Sequence, residues 1–196
     1  MTTDLMIAEI DTLGATLKRV ELLKHKDSAD PTKNFVLMGP EHHYEAQSGL
    51  TAEGLNHRAL WKPAASGPFV LEPGKDSLEV TLVASRDGVT VEKVYAFRRD
   101  SYVVDVVLRV RNAGAAAFTP FAYFQLTHDG KPSSDANAVA QTFGAQSFTG
   151  FATYSAERKF EKVHPSDIDK DKVDMIKKAS DGWLAFVQHY FVSAWL

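Results

Sequence analysis

The stretch LEVTLVASRDGVTVEKVYAF, residues 78–97, decides the fold class of this 196-residue chain. Apolar and polar side chains alternate on both sides of Asp87-Gly88, and two alternating runs joined by Asp-Gly are typical of a β-hairpin. The apolar positions that share one face of each run are Leu78, Val80, Leu82, Ala84, Val89, Val91, Tyr95 and Phe97. The stretch therefore predicts two antiparallel strands, each with one buried and one solvent-facing side.

The same pattern extends in both directions from this hairpin. Further strands are predicted over residues 5–10, 15–23, 102–110 and 118–126, with a hinge at Gly14, a turn at residues 112–114 and a long loop over residues 49–68. Short strands spaced ~8–12 residues apart, with turn signals between them, are typical of a sandwich or barrel. The chain is therefore predicted to be mostly β and antiparallel.

The closing stretch GWLAFVQHYFVSAWL, residues 182–196, is strongly apolar and fits two structures. One helical stripe would hold Trp183, Val187, Tyr190, Phe191 and Trp195. The abundance of β-branched and aromatic residues favours a strand instead. The stretch is shorter than the ~18–20 residues that a membrane-spanning helix needs. The polar segment before it, residues 165–178, is predicted to hold at most one short helix.

Composition and charge exclude several classes of function. The net charge is −3 with acids and bases interleaved, so the basic face of a nucleic-acid-binding protein is missing. The chain has no cysteine, which excludes disulfides, thiolate metal sites and cysteine catalysis. The N-terminal residues lack the features of a signal peptide, and no run is apolar for ~18 residues. We expect a soluble chain without a nucleic-acid partner.

Two clusters resemble metal sites but lack what such sites need. Adjacent His42 and His43 point to opposite faces of an extended chain, so both cannot easily reach one ion. The calcium-loop rhythm that begins at Asp167 has Lys172 in place of the required Gly and Lys178 in place of the final carboxylate. We expect no metal and no cofactor.

The pair His128-Asp129 is the remaining candidate for chemistry. With a remote Glu it could work as an acid–base pair, but a turn before Gly130 explains the same two residues. Nucleophile-elbow, P-loop and dinucleotide-binding motifs are absent from the sequence. The sequence therefore predicts no catalytic residue.

Four separated stretches, taken together, resemble one family. They are residues 44–50, 97–114, 148–162 and 182–195. In order and spacing they are similar to the periplasmic domain of the YidC membrane protein insertases of Gram-negative bacteria. The resemblance covers residues 4–196 and implies an antiparallel β-supersandwich related to the galactose mutarotase fold, on the periplasmic face of the inner membrane. It also implies that the closing stretch is one core strand, or two separated by a bend near Gln188-His189.

The resemblance implies further features of domain organisation and function. We expect a single domain over residues 1–196, truncated at its C-terminal end and without the membrane core through which proteins are inserted. It would act as a scaffold and interaction surface, with SecF, an accessory subunit of the Sec translocon, contacting residues 146–195. The polar part of that range supplies the candidate contact residues, which are Glu157, Arg158, Lys159, Glu161, Lys162, Asp167, Asp169, Lys170 and Lys178. Self-association through a free sheet edge is a further expectation.

Two other functions stay open at this point. The mutarotase-like fold is compatible with a carbohydrate-binding or aldose-epimerase-like protein, for which His128 is the only nominated residue. A holdase-like groove for client chains is the second alternative. Its candidate lining residues are Phe118, Phe121, Tyr123 and Phe124.

Overall fold

The computed structural model describes residues 1–131, 148–188 and 190–196. The chain divides into two compact units, which we call unit 1 (Met1–Thr127) and unit 2 (His128–Leu196). The described residues are mostly β, and the named strands pair antiparallel, which confirms the predicted fold class. In this part of the chain, none of the helices has the length and apolar character to cross a membrane.

Unit 1 contains two sheets. Sheet 1 has the order β1-β2-β4-β9, with β3 paired to β2, and comprises β1 (Met6–Asp11), β2 (Thr16–Lys26), β3 (Asn34–Met38), β4 (Glu45–Leu50) and β9 (Ala122–Thr127). Sheet 2 has the order β5-β6-β7-β8 and comprises β5 (Lys62–Pro63), β6 (Ser77–Arg86), β7 (Val89–Arg98) and β8 (Val104–Asn112). The Lys93 side chain of β7 donates to a main-chain carbonyl of β4, at Ser48, so the two sheets face each other across a common core.

The predicted β6–β7 hairpin is confirmed. Arg86 pairs with Val89, and the two residues between them, Asp87 and Gly88, have φ values of 51° and 82°. These left-handed values are those that a tight hairpin turn requires, and Asp and Gly tolerate them better than most residues. Alternate side chains of both strands are buried, as the apolar–polar alternation predicts, and β7 also buries Val94 on its other face.

Several predicted boundaries differ from the structure. The strand predicted over residues 118–126 begins only at Ala122, because Pro120 has no N–H to offer a neighbouring strand. The loop predicted over residues 49–68 contains the two-residue strand β5 and the last residues of β4. The strands predicted on either side of Gly14 correspond to β1 and β2, which confirms the hinge.

Unit 2 is built on a third sheet with the order β11-β10-β12-β13. Its strands are β10 (Gly150–Ser155), β11 (Lys159–Val163), β12 (Trp183–Gln188) and β13 (Phe191–Trp195), and the helix α1 (Pro165–Asp169) follows β11. The closing stretch is therefore a pair of strands and not a helix, with Gln188 opposite Phe191. His189, part of the predicted bend, lies outside the described residues. The single short helix predicted in residues 165–178 is confirmed.

Candidate functional site

The charged residues nominated for partner contact lie in unit 2, between the end of β10 and the start of β12. Glu157 and Arg158 occupy the β10–β11 turn, Lys159, Glu161 and Lys162 lie on β11, Asp167 and Asp169 lie in α1, Lys170 follows α1, and Lys178 lies in the connection to β12. Arg158, Glu161 and Asp167 are half-buried and the others are exposed. The nominated residues are therefore spread along one polar segment of the chain. They do not form a single cluster on one strand.

Arg158 connects the β10–β11 turn to the segment that precedes β12 through hydrogen bonds. Its Nε donates to Glu161 Oε1 at 3.0 Å, and Nη1 and Nη2 donate to Asp174 Oδ2 at 3.2 and 3.3 Å. The hydrogen bonds to Asp174 are the main reason that the pKa of Arg158 is raised above its ordinary value. Because these ion pairs face solvent, they orient the side chains more than they stabilise the fold.

Next to this ion pair, the sheet of unit 2 presents three aromatic side chains on one face. Tyr154 on β10 lies opposite Phe160 on β11 and opposite Trp183 on β12, so the three share a face. The Tyr154 and Trp183 rings stack at a centroid distance of 5.9 Å, and the Phe160 ring lies 6.0 Å from Trp183. Tyr154 is 37% exposed and Phe160 51% exposed. We call these three residues the aromatic patch.

A glycine brings two strands of the patch together. Gly182, directly before Trp183, has φ = 119°, and a Cβ built there would lie 2.1 Å from the Tyr154 carbonyl oxygen. Only glycine fits this conformation and this close approach. On the other side of Tyr154, the Ala156 N–H donates to Asp181 Oδ2 at 2.7 Å. Both contacts hold the end of β10 against the start of β12.

The same sheet face carries a cation beside the patch. Lys162 lies two residues after Phe160 on β11, so both side chains are on one face. The Lys162 Nζ lies 4.9 Å from the centroid of the Phe148 ring. This distance is within the range of a cation–π contact.

The aromatic patch was missed because only charged residues were nominated for partner contact in this part of the chain. Tyr154 and Phe160 are symmetric about the β10–β11 turn, which is a signal that a hairpin would place them opposite each other. Trp183 is nearly 30 positions further along the chain, so its place beside Tyr154 depends on long-range strand pairing. The closing stretch is predicted to be core strand, yet Trp183 within it is only half-buried.

His128, nominated for acid–base chemistry, has the contacts of a turn residue. Its Nδ1 accepts a hydrogen bond from the Gly130 N–H at 2.9 Å, and its ring stacks on Phe186 at a centroid distance of 3.9 Å. The calcium-like segment begins inside the helix α1, at Asp167, and continues beyond the end of that helix at Asp169. The hydrogen bond from Gly130 to His128 is typical of a turn.

The four aromatic residues nominated for a groove lie in different surroundings of unit 1. Phe121 is 78% exposed and Phe124 is 41% exposed. The Tyr123 hydroxyl accepts the His57 N–H at 2.8 Å. Phe118 lines a cavity of about 560 Å³ between the turns near Glu53, Asp87 and Gly114.

Comparison with known sequences identifies the family of this chain. A family model described as the YidC periplasmic domain matches residues 1–196. The chain belongs to the YidC periplasmic domain family. The resemblance of the four stretches is thus confirmed over the whole length.

Curated relatives of this YidC periplasmic domain carry the name membrane protein insertase YidC. The protein of Aromatoleum aromaticum is 48% identical over 197 residues, covering 99% of this chain and 35% of the relative. The protein of Nitrosomonas europaea is 43% identical over 199 residues, covering 99% of this chain and 32% of the relative. The chain therefore spans about a third of the length of these relatives.

Proposed function

We propose that this YidC periplasmic domain acts as a single non-catalytic scaffold of a membrane protein insertase, and that unit 2 carries its partner-contact surface. The name of the relatives supports the insertase setting. Inserting membrane proteins are the proposed clients of the whole insertase. The aromatic patch supports the contact surface, because Trp, Tyr and Arg contribute most of the binding energy at many protein interfaces.

The proposed partner is SecF, an accessory subunit of the Sec translocon. The family resemblance assigns this contact to residues 146–195, of which residues 146, 147 and 189 lie outside the described part of the chain. Within the described part, the patch offers a preorganised aromatic centre, since its rings already stack on one another. The surrounding charged residues would form the solvated rim of such an interface. This rim comprises Glu157, Arg158, Lys159, Glu161, Lys162, Asp167, Asp169, Lys170 and Lys178.

A binding assay with purified SecF in detergent tests the patch. We expect Phe160→Ser to weaken the Kd roughly tenfold or more, because the substitution removes an exposed aromatic anchor without disturbing a buried side chain. Phe121→Ser is the matched control, since Phe121 is even more exposed and lies in unit 1. Its Kd should stay within about twofold of the unsubstituted chain.

Charge reversal tests the rim separately. Glu157→Lys and Lys178→Glu should change the association rate and its salt dependence more than the dissociation rate, as exposed rim charges do. If neither these reversals nor Phe160→Ser changes SecF binding while circular dichroism shows an intact fold, unit 2 is not the contact surface.

The position and composition of β13 support the expected self-association. Within the described residues, β13 is the outer strand of its sheet and carries no charged side chain. Val192 on this strand is 59% exposed. Natural edge strands are usually protected by a charge, a proline or a bulge, and an unprotected edge can pair with a second copy.

A further inference from the structure

Lys93 is a lysine at an inward position of a core strand. It lies on β7 between Val91 and Tyr95, and its relative exposure is 0%. Lysine is almost never fully buried unless its charge is satisfied. The contacts of its ammonium therefore need an explanation.

Three main-chain carbonyls surround the Lys93 ammonium. Nζ donates to Ser48 O at 2.6 Å, to Gly14 O at 2.7 Å and to Ala15 O at 3.2 Å. An ammonium has three N–H bonds, so each has one carbonyl oxygen. The Trp61 ring closes another side, with its centroid 5.0 Å from Nζ. We call the three carbonyls the carbonyl cage.

The cage depends on an unusual corner between β1 and β2. Gly14 and Ala15 have φ values of 75° and 45°, and Ala15 is completely buried. A left-handed alanine is strained by ~1–3 kcal/mol, and such strain persists only where its surroundings hold it. The Tyr95 hydroxyl donates to Ala15 O at 2.6 Å, so Lys93 and Tyr95 together hold this carbonyl.

The corner also holds the loop of residues 51–61. The Gly14 N–H donates to Ala59 O at 2.7 Å, and the Trp61 N–H donates to Thr12 O at 2.8 Å. A Cβ at Gly14 would lie 2.2 Å from His57 O, which shows how closely the loop packs on the corner. Contacts around Lys93 therefore connect β7 with β4, the β1–β2 corner and this loop.

We propose that the carbonyl cage is a monovalent-cation site whose occupant is the tethered ammonium of Lys93, and that a free primary ammonium ion occupies it when the side chain is shortened. Main-chain carbonyl oxygens replace the hydration shell of monovalent cations in ion-selective proteins. The cage has the same chemistry, and its hydrogen bonds select an ion with N–H donors. At pH 6, Lys93 thus acts as a structural cation of unit 1.

Chemical rescue of Lys93→Ala by added n-propylamine tests the site. The measurement is made at pH 6, where the amine is protonated to n-propylammonium. This substitution removes Cγ, Cδ, Cε and Nζ, and n-propylammonium has the same three carbons and nitrogen. We expect the Tm of Lys93→Ala to fall by roughly 10 °C, because a cavity and three unsatisfied carbonyls remain. Propylammonium at ten times its Kd should raise that Tm by about 4 °C.

Two controls separate cage binding from general effects. Tetramethylammonium has no N–H, so it should not raise the Tm of Lys93→Ala. Lys93→Met fills the space without donors, so it should be less stable than the unsubstituted chain and insensitive to propylammonium. The proposal is overturned if Lys93→Met is as stable as the unsubstituted chain, or if both ammonium ions act equally on Lys93→Ala.

A measurement on the unsubstituted chain covers the case in which Lys93→Ala does not fold. Amine acylation followed by peptide mass spectrometry should modify exposed Lys178 rapidly and leave Lys93 unmodified until the chain unfolds. The ¹⁵N signal of the Lys93 ammonium should be visible at pH 6, because hydrogen-bonded protons exchange slowly. Rapid acylation of Lys93 at the rate of Lys178 would disprove the buried, caged ammonium.

Discussion

Lys93 occupies a position on β7 where the alternating pattern requires an apolar side chain. Its burial lowers its pKa to about 7, far below the ordinary value of 10.5. The nearby His57 has a pKa lowered mainly by burial, and Tyr95 has a pKa raised mainly by burial. All three groups therefore titrate differently in the folded and unfolded chain.

These shifts predict an unusual dependence of stability on pH. Between pH 7 and 10 the unfolded chain keeps the Lys93 proton and the folded chain releases it, so unfolding takes up a proton. The free energy of unfolding should therefore rise with pH across this window, by on the order of 4 kcal/mol. His57 is neutral in both states there. Above pH 10, Tyr95 ionises first in the unfolded chain, so stability should fall.

Urea unfolding at a series of pH values measures this profile. Lys93→Met is the matched variant, because it has a similar shape and cannot titrate. Its stability should lack the rise between pH 7 and 10. A rise of the same size in Lys93→Met would assign the effect to another group.

At the scale of elements, the aromatic patch depends on how β12 begins. Gly182 allows Trp183 to stack on Tyr154 only because no Cβ stands between the two strands. The strand pairing from Tyr154↔Trp183 to Gly150↔Val187 starts directly after this glycine. A side chain at Gly182 would therefore disturb β10 and β12 together.

Two glycine substitutions separate the cost of the steric clash with Tyr154 from the cost of backbone strain at positive φ. Gly182→Ala should destabilise the chain by roughly 3 kcal/mol or more, since strain at positive φ adds to a contact with backbone. Gly67→Ala is the control, because Gly67 has a similar φ of 125° but no atom within 4 Å of its Cβ position. It should cost about 1–2 kcal/mol. Equal losses for the two variants, measured by urea unfolding, would show that the close approach to Tyr154 has no effect.

The elements differ in how far the sequence predicts them. The β6–β7 hairpin was predictable because Asp87-Gly88 and the alternation on both sides are local signals. The closing stretch was ambiguous by pattern, because the apolar residues at 183, 187, 190, 191 and 195 suit a helix and a strand alike. The family resemblance favoured strands, and pairing with β10 shows which structure is adopted.

The site residues were harder to predict than the strands. The aromatic patch needs Trp183 beside Tyr154, a contact between distant parts of the chain that no local pattern encodes. Lys93 was passed over because a lysine interrupts an apolar face, and its carbonyl partners lie 45 to 79 residues away. Both features result from tertiary structure.

For the molecule as a whole, the edge of β13 predicts concentration-dependent association. Analytical ultracentrifugation should show dimers that Val192→Lys shifts towards monomers, because a charge on an edge strand opposes pairing with another edge. Val36→Lys is the control, since Val36 is 40% exposed on β3 in unit 1. A chain that stays monomeric at all concentrations would contradict this association.

The pairing of β4 with β9 has a consequence for the order in which the chain is made and exported. Gln47 and Gln125 are hydrogen-bonded neighbours although 78 residues separate them. The early strands therefore have no complete sheet to join until β9 has left the ribosome and crossed the membrane. A nascent chain of high contact order folds slowly and exposes apolar strands meanwhile. The apolar strands of unit 1 therefore stay exposed for longest before residue 127 emerges.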